Sequence, residues 1–322
     1  MTPLRAWILV AVAVAGVSSS GPITAGSLAP VVAIAFWRNL AGAGISGVWA
    51  LFRDRHGLAG LERKTFWLAV VSGLVLAAHF TSWFASLRMT SVAASTALVS
   101  TTPILTVGFD LARRVPVPRA VLIGVGVSMV GVVAITGVDA GRSGRALAGD
   151  GLALFAAAAM AVYMLAGTQV MRTTSPAVYT LVAYAACATV LLPAALVSGT
   201  QLTGFSTRTW LEIVTVTIAA QVLGHTLFNV TLPHVGATPL ALAILLEVPG
   251  ASLLAWAYLG EAPPLAVLPG AVLMLLGLVV VVRSRAGDLG DPVGEVGAPP
   301  GLPGAGGQHD HEQSVEAPQP RS

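Results

Sequence analysis

Apolar residues gather along this chain into stretches of about 20, each long enough to cross the hydrocarbon core of a bilayer. The pattern predicts spans near 6–24, 31–52, 67–87, 91–109, 118–137, 149–171, 177–198, 209–231, 236–258 and 264–283. Each must be helical, because in lipid an exposed peptide group finds no water to bond. Small residues punctuate several spans, Gly42, Gly44 and Gly47 in the second and Gly124, Gly126 and Gly131 in the fifth. Residues of that size let neighbouring helices approach closely. From residue 286 to Ser322 the chain is rich in Gly and Pro with no apolar period, which predicts a disordered cytoplasmic tail.

The apolar pattern also repeats. A shift of 146 residues lays Val121-Leu122-Ile123-Gly124 on Val267-Leu268-Pro269-Gly270, Gly131 on Gly277, Pro103 on Pro249 and His79 on His225, with no gap between His79 and Val133. The chain therefore reads as two related units, 1–140 and 147–285, followed by the tail 286–322. Five spans per unit is an odd number, so the second copy enters the membrane upside down relative to the first. Inverted repeats of this kind place a solute site near the midplane, where the halves meet. The predicted fold class is an all-α polytopic membrane protein of ten transmembrane helices, built as two inverted five-helix repeats (5+5).

Composition agrees with that picture. Of 322 residues, 55% are hydrophobic and 10% charged, too few charges to cover a soluble domain of this size. The net charge of +3 says nothing of nucleic acid, because the charges lie between spans. Eleven basic residues, from Arg5 to Arg285, border one set of alternate helix ends, against Arg88, Arg142, Arg145 and Arg208 at the other. That bias predicts cytoplasmic N- and C-termini and a multi-pass protein of the plasma (inner) membrane. The first apolar run, with Ala15, Gly16 and Ser18–Ser20, has the small residues of a signal peptide. Cleavage would remove the first helix of one repeat and upset the charge parity, so the run reads as a span. Cys187 is the only cysteine, which excludes a disulfide within the chain and argues against a thiolate metal site; it reads as a small packing residue. His309 and His311 in the tail lack further fixed ligands and are not read as a metal site. No cofactor is expected.

An ionisable side chain at mid-membrane costs about 2.5–3.5 kcal/mol on insertion scales, so each needs a reason. Arg38, His79, His225 and Glu247 stand out. Glu247 lies halfway along the ninth span, two residues before Pro249, whose missing N–H can kink a helix; Pro103 is its counterpart in the first copy. A carboxylate there can bind a cationic group or a proton, or be a neutral group bonded to a neighbouring helix. Arg38 cannot neutralise itself and needs a carboxylate, carbonyls, water or an anionic solute; Glu247 is the obvious protein partner. His79 and His225 occupy equivalent places, with Trp83 and Asn229 one turn later on the same faces. Two polar stripes could thus face each other across a pathway, and histidine suits a proton-coupled cycle. The competing structural role is a fixed hydrogen bond that sets helix packing. Asp110, Glu212 and Glu261 lie near span ends and are expected to be solvated, with no chemistry assigned.

These residues resemble the EamA family of the drug/metabolite transporter superfamily. Pro30 to Gly44, with Phe36-Trp37-Arg38, is similar to the family's second helix. The run from Trp83 through Ala85, Ser91–Thr96 and Pro103 is similar to its third and fourth helices. Glu247, Pro249, Leu253–Trp256 and Leu259-Gly260-Glu261 are similar to its glutamate-proline element and closing Leu-Gly-Glu. Two departures stand out: the first copy carries Arg113-Arg114-Val115 where the second has Leu-Gly-Glu, and Val248 separates Glu247 from Pro249. The resemblance implies a non-enzymatic secondary transporter of small metabolites, amino acids or drugs, frequently an exporter. The partners to expect are a small-molecule substrate and the lipid bilayer; protons and a second copy of the chain are further candidates. Two other classes compete. Gly44-Ile45-Ser46-Gly47 matches the Gly-x-Ser-Gly of an intramembrane serine protease with a membrane histidine as base, a pattern that arises easily in a glycine-rich helix. A channel or non-transporting scaffold is the other, though nothing resembles a selectivity filter.

Overall fold

The computed structural model describes residues 1–136, 143–263, 265 and 267–288, and every regular element among them is helical. In order these are α1 (Pro3–Ser18), α2 (Ser20–Gly26), α3 (Val31–Arg53), α4 (Arg55–Ala59), α5 (Arg63–Ser86), α6 (Val92–Val99), α7 (Thr102–Ala112), α8 (Arg119–Thr136), α9 (Gly144–Val170), α10 (Pro176–Val197) and α11 (Thr207–Val216). A π-helical segment (Thr217–Thr226) leads into α12 (Leu227–Val235), followed by α13 (Ala237–Ile244), α14 (Glu247–Leu259) and α15 (Val267–Asp288). Joined end to end where they abut, these make eight rods long and apolar enough to cross a membrane. The spans predicted near 118–137 and 264–283 are helices too, but their apolar parts, Arg119–Ala134 and Val267–Arg283, are shorter. The last helix runs three residues into the stretch expected to be disordered. The linker 137–142 with Arg142, and the tail 289–322 with His309 and His311, lie outside the described residues.

Outward faces are apolar: Phe52 is 81% exposed and Val197 91%. In water such surfaces would drive association; against acyl chains they cost nothing. With no hydrophobic force between helices in lipid, close packing must hold the bundle together. The α8–α15 pair shows how. A Cβ on Gly124 would come within 2.6 Å of the Gly277 carbonyl oxygen, and one on Gly131 within 2.6 Å of that of Gly270. The two helices are therefore antiparallel. Under the 146-residue shift Gly124 becomes Gly270 and Gly277 becomes Gly131, so one contact maps onto the other. Equivalent helices α3 and α10 are antiparallel as well, with Ser46 beside Thr180 and Gly42 beside Tyr184. Not every glycine serves this purpose: Gly44 and Gly126 face open space, contrary to the expectation that all six ease helix approach.

Two rods break at equivalent places, α6/α7 in the first copy and α13/α14 in the second. Pro103 has no N–H for the Val99 carbonyl, and Thr102 Oγ1 donates to it instead at 2.9 Å. Pro249 likewise leaves Leu245 without its usual donor, and Val248 N–H takes the carbonyl in a tighter turn at 3.1 Å. Each helix break lies just before a proline, and the freed carbonyls are satisfied locally. A third feature was not predicted: the rod carrying His225 is π-helical over ten residues, whereas its counterpart around His79 is an uninterrupted α-helix. In the π segment Thr226 Oγ1 donates to Gln221 O, five residues back, at 3.0 Å.

Candidate functional site

Arg38 sits on the buried face of α3 and is fully enclosed. Its Nε donates to Gln221 Oε1 on the π segment at 2.8 Å, and Nη1 to Ser20 Oγ on α2 at 3.0 Å. Its guanidinium lies 4.3 Å from the centre of the Phe80 ring, a cation–π placement. Gln221 is held in turn, its Nε2 donating to Asn39 Oδ1 at 3.3 Å. Arg38 thus takes neutral partners, not Glu247; its Nη2 keeps no hydrogen-bond partner. Gln221 and Ser20 were missed in the sequence, although a neutral amide in the middle of an apolar span was a visible signal.

Behind Phe80 the two histidines come together. Their ring centres lie 6.5 Å apart, and Phe80 packs edge-on against His225 at 5.2 Å. The Nδ1 of His79 donates to the Ala156 carbonyl at 2.9 Å, which places its proton on Nδ1, since a carbonyl only accepts. The shift equates Ala156 with Val10, yet among the described residues the His225 ring has no hydrogen-bond partner. His225 lies within the π segment, His79 in a regular α-helix. So His79 has the fixed bond that a packing role requires, and His225 does not.

A narrow chamber of about 30 Å³ lies between the halves, room for about two waters. His79, Trp83 and Ser100 line it from the first copy, and His225, Phe228 and Glu247 from the second. Glu247 is the first residue of α14, at the break before Pro249, and is buried; its Oε1 has no hydrogen-bond partner, nor has Trp83 Nε1 or Ser100 Oγ. A second cavity of about 10 Å³ shares Met160, His225, Phe228 and Ile244 with the first and adds Asn229. Asn229 donates to Tyr163 OH at 2.8 Å and Tyr184 OH at 3.2 Å, so it faces a tyrosine cluster and not the partner stripe. The structure therefore brings His79, Trp83, His225 and Glu247 to one chamber, leaves Arg38 off its lining and stacked on Phe80, and sets Asn229 in the adjoining space.

Glu212 and Glu261, half-buried near their span ends, also carry specific hydrogen bonds. Glu212 Oε1 accepts from Tyr258 OH at 2.7 Å and Arg208 Nε at 3.0 Å. Glu261 Oε1 accepts the Val92 N–H at 3.1 Å, capping the first turn of α6 across the boundary between copies. At the same end Arg88 Nη2 donates to the carbonyls of Thr24, Ser27 and Ala29, and Arg145 Nη2 to that of Arg88 at 2.9 Å. Burial lowers the Arg88 pKa from its ordinary value. A wider trench of about 610 Å³ opens on the flank beside Arg208, walled by Leu211 and Leu254; it shares no lining residue with the chamber. Ser46, the nucleophile of the protease reading, accepts from Thr180 Oγ1 at 2.9 Å on the α3–α10 seam and has no histidine bonded to it among the described residues. Cys187 is buried.

A duplicated bundle of apolar helices enclosing a few costly polar groups defines a membrane protein of the transporter kind. The model of the EamA-like transporter family matches residues 5–137 and again 147–283. The chain belongs to that family, within the drug/metabolite transporter superfamily. One solved crystal structure superposes on 90% of this chain and 100% of its own, with a TM-score of 0.68 at 18% identity; that likeness is one of fold. No curated protein matches the chain.

Proposed function

We propose that this chain is a secondary carrier that exports a small solute by alternating access, driven by a proton gradient, with Glu247, Trp83, His79 and His225 lining the solute and coupling site. The observation that carries this reading is the shared chamber: each half supplies part of its wall, next to helix interruptions at equivalent positions. Rocking one half against the other would open it to one side at a time. In the same reading the units 1–140 and 147–285 are inverted in the plasma membrane, which the chain crosses ten times with both termini cytoplasmic. The antiparallel contacts of equivalent helices and the bias of basic residues support that topology. The end laced by Arg88, Arg145, Glu212 and Glu261 is then external, and the adjoining cavity leads from the chamber toward the cytoplasm. That polarity suits a solute entering from inside.

The test is flux in proteoliposomes under an imposed pH gradient. Glu247→Gln keeps size and burial while removing the charge, and is expected to reduce flux by more than tenfold without lowering the unfolding temperature. Unchanged flux would remove Glu247 from the mechanism.

A further inference from the structure

The polar atoms that the chamber leaves unpartnered specify a ligand chemistry. Glu247 is the acidic residue on its wall, 4% exposed, and its Oε1 has no donor. A buried carboxyl in that state is costly unless something donates to it. His79 adds a second acceptor to the wall: with its proton engaged by Ala156, Nε2 presents a lone pair. The rings of His79, Trp83, His225 and Phe228 make up much of the remaining surface, and aromatic faces attract cations. The nearest fixed positive charge, Arg38, is engaged by Gln221 and Ser20 and covered by Phe80; it does not line the chamber. The unengaged donors on the wall, Trp83 Nε1, Ser100 Oγ and the ring N–H of His225, are all neutral, so an anionic ligand would find no fixed positive charge there. Trp83 Nε1 can only donate, so it calls for an acceptor oxygen on the same ligand.

Building on the carrier reading, we propose that the chamber recognises an organic cation, a protonated amine that also carries a neutral hydroxyl or carbonyl oxygen. The ammonium donates to Glu247 and His79 between aromatic faces, and the oxygen accepts from Trp83. The chamber must widen for such a solute. The unbranched Met160 side chain, common to both cavities, can rearrange at low cost, and separation of the halves supplies the rest.

Four probes with one aromatic body separate the charge classes: phenylalaninol (cation with a hydroxyl), 3-phenylpropylamine (cation without oxygen), phenylalanine (zwitterion) and 3-phenylpropionate (anion). Titration calorimetry on the full-length protein in detergent is expected to show phenylalaninol binding at least about tenfold tighter than the zwitterion or the anion. Glu247→Gln should erase that preference, and Trp83→Phe should bring phenylalaninol down to the level of phenylpropylamine. Equal or tighter binding of phenylalanine or phenylpropionate overturns the proposal, as does a preference that survives Glu247→Gln, or binding of none of the four. The ranking on wild-type protein decides the matter even if a variant does not fold. If Glu247→Gln abolishes flux of a solute that is not a cation, the carrier reading stands and the ligand class falls. If cations bind through Glu247 but no gradient moves them, the site stands and the carriage falls.

Discussion

Arg38 shows how a fixed charge survives inside an apolar bundle without a counter-ion. Its hydrogen bonds run to an amide and a hydroxyl, and its flat face rests on Phe80. Removing the amide should expose the cost. Gln221→Leu leaves the Arg38 Nε with no acceptor, and the expected loss is about 1–3 kcal/mol or more, because the donor belongs to a charged group. Gln221→Glu keeps an acceptor and should retain stability; unfolding temperatures in detergent read both. The four ionisable residues were legible in the sequence because a charge among apolar neighbours needs an explanation. Their partners were not. Glu247 was the obvious mate for Arg38 on charge alone, and nothing in a linear pattern reveals that Arg38 bonds Gln221 and Ser20 and rests on Phe80 instead.

At the level of helices, the bundle depends on a small number of glycines where backbones nearly touch. Gly131 packs against the carbonyl of Gly270 and beside Met274, so Gly131→Leu must push α8 and α15 apart, costing about 1–3 kcal/mol or more. Gly44→Ala, with open space around it, should change stability by less than about 0.5 kcal/mol. A thermal series on both variants checks the contrast. Glycine spacing alone could not separate the two cases, since it marks small positions without saying which face meets a neighbour. The proline breaks were predictable from the missing N–H. The π segment was not: its sequence resembles any apolar helix with a glycine, and the difference shows only in the structure, where His79 bonds a carbonyl and His225 does not.

Across the whole molecule, the order of the helices sets which loops share an end. The Trp37 Nε1, in the second turn of α3, donates to Leu202 O after α10, while residue 56 lies beyond the far end of α3 at Arg53, which is roughly 24 Å from Trp37 at 1.5 Å per residue. With the buried Cys187 replaced by Ala, a cysteine at His56 and one at Gln201 should react with a membrane-impermeant maleimide from opposite sides. In intact cells Gln201→Cys is expected to label and His56→Cys only after permeabilisation. Labelling of both from outside would refute the topology proposed. The duplication was readable because fifteen or so identical or similar residues recur at one offset. The bonding at the helix ends around Arg88 was not, because it rests on Arg88 reaching three carbonyls and on Glu261 capping a helix of the other copy.

The α8–α15 contact exchanges its two members under the repeat shift, which makes the five-helix unit self-complementary. A half-length chain inserted in both orientations would find, in its own upside-down twin, the same glycine-to-carbonyl embrace that this chain carries within one polypeptide. Covalent linkage then fixes the stoichiometry at one of each, and frees the copies to diverge: one could acquire Glu247, while the other kept Thr101.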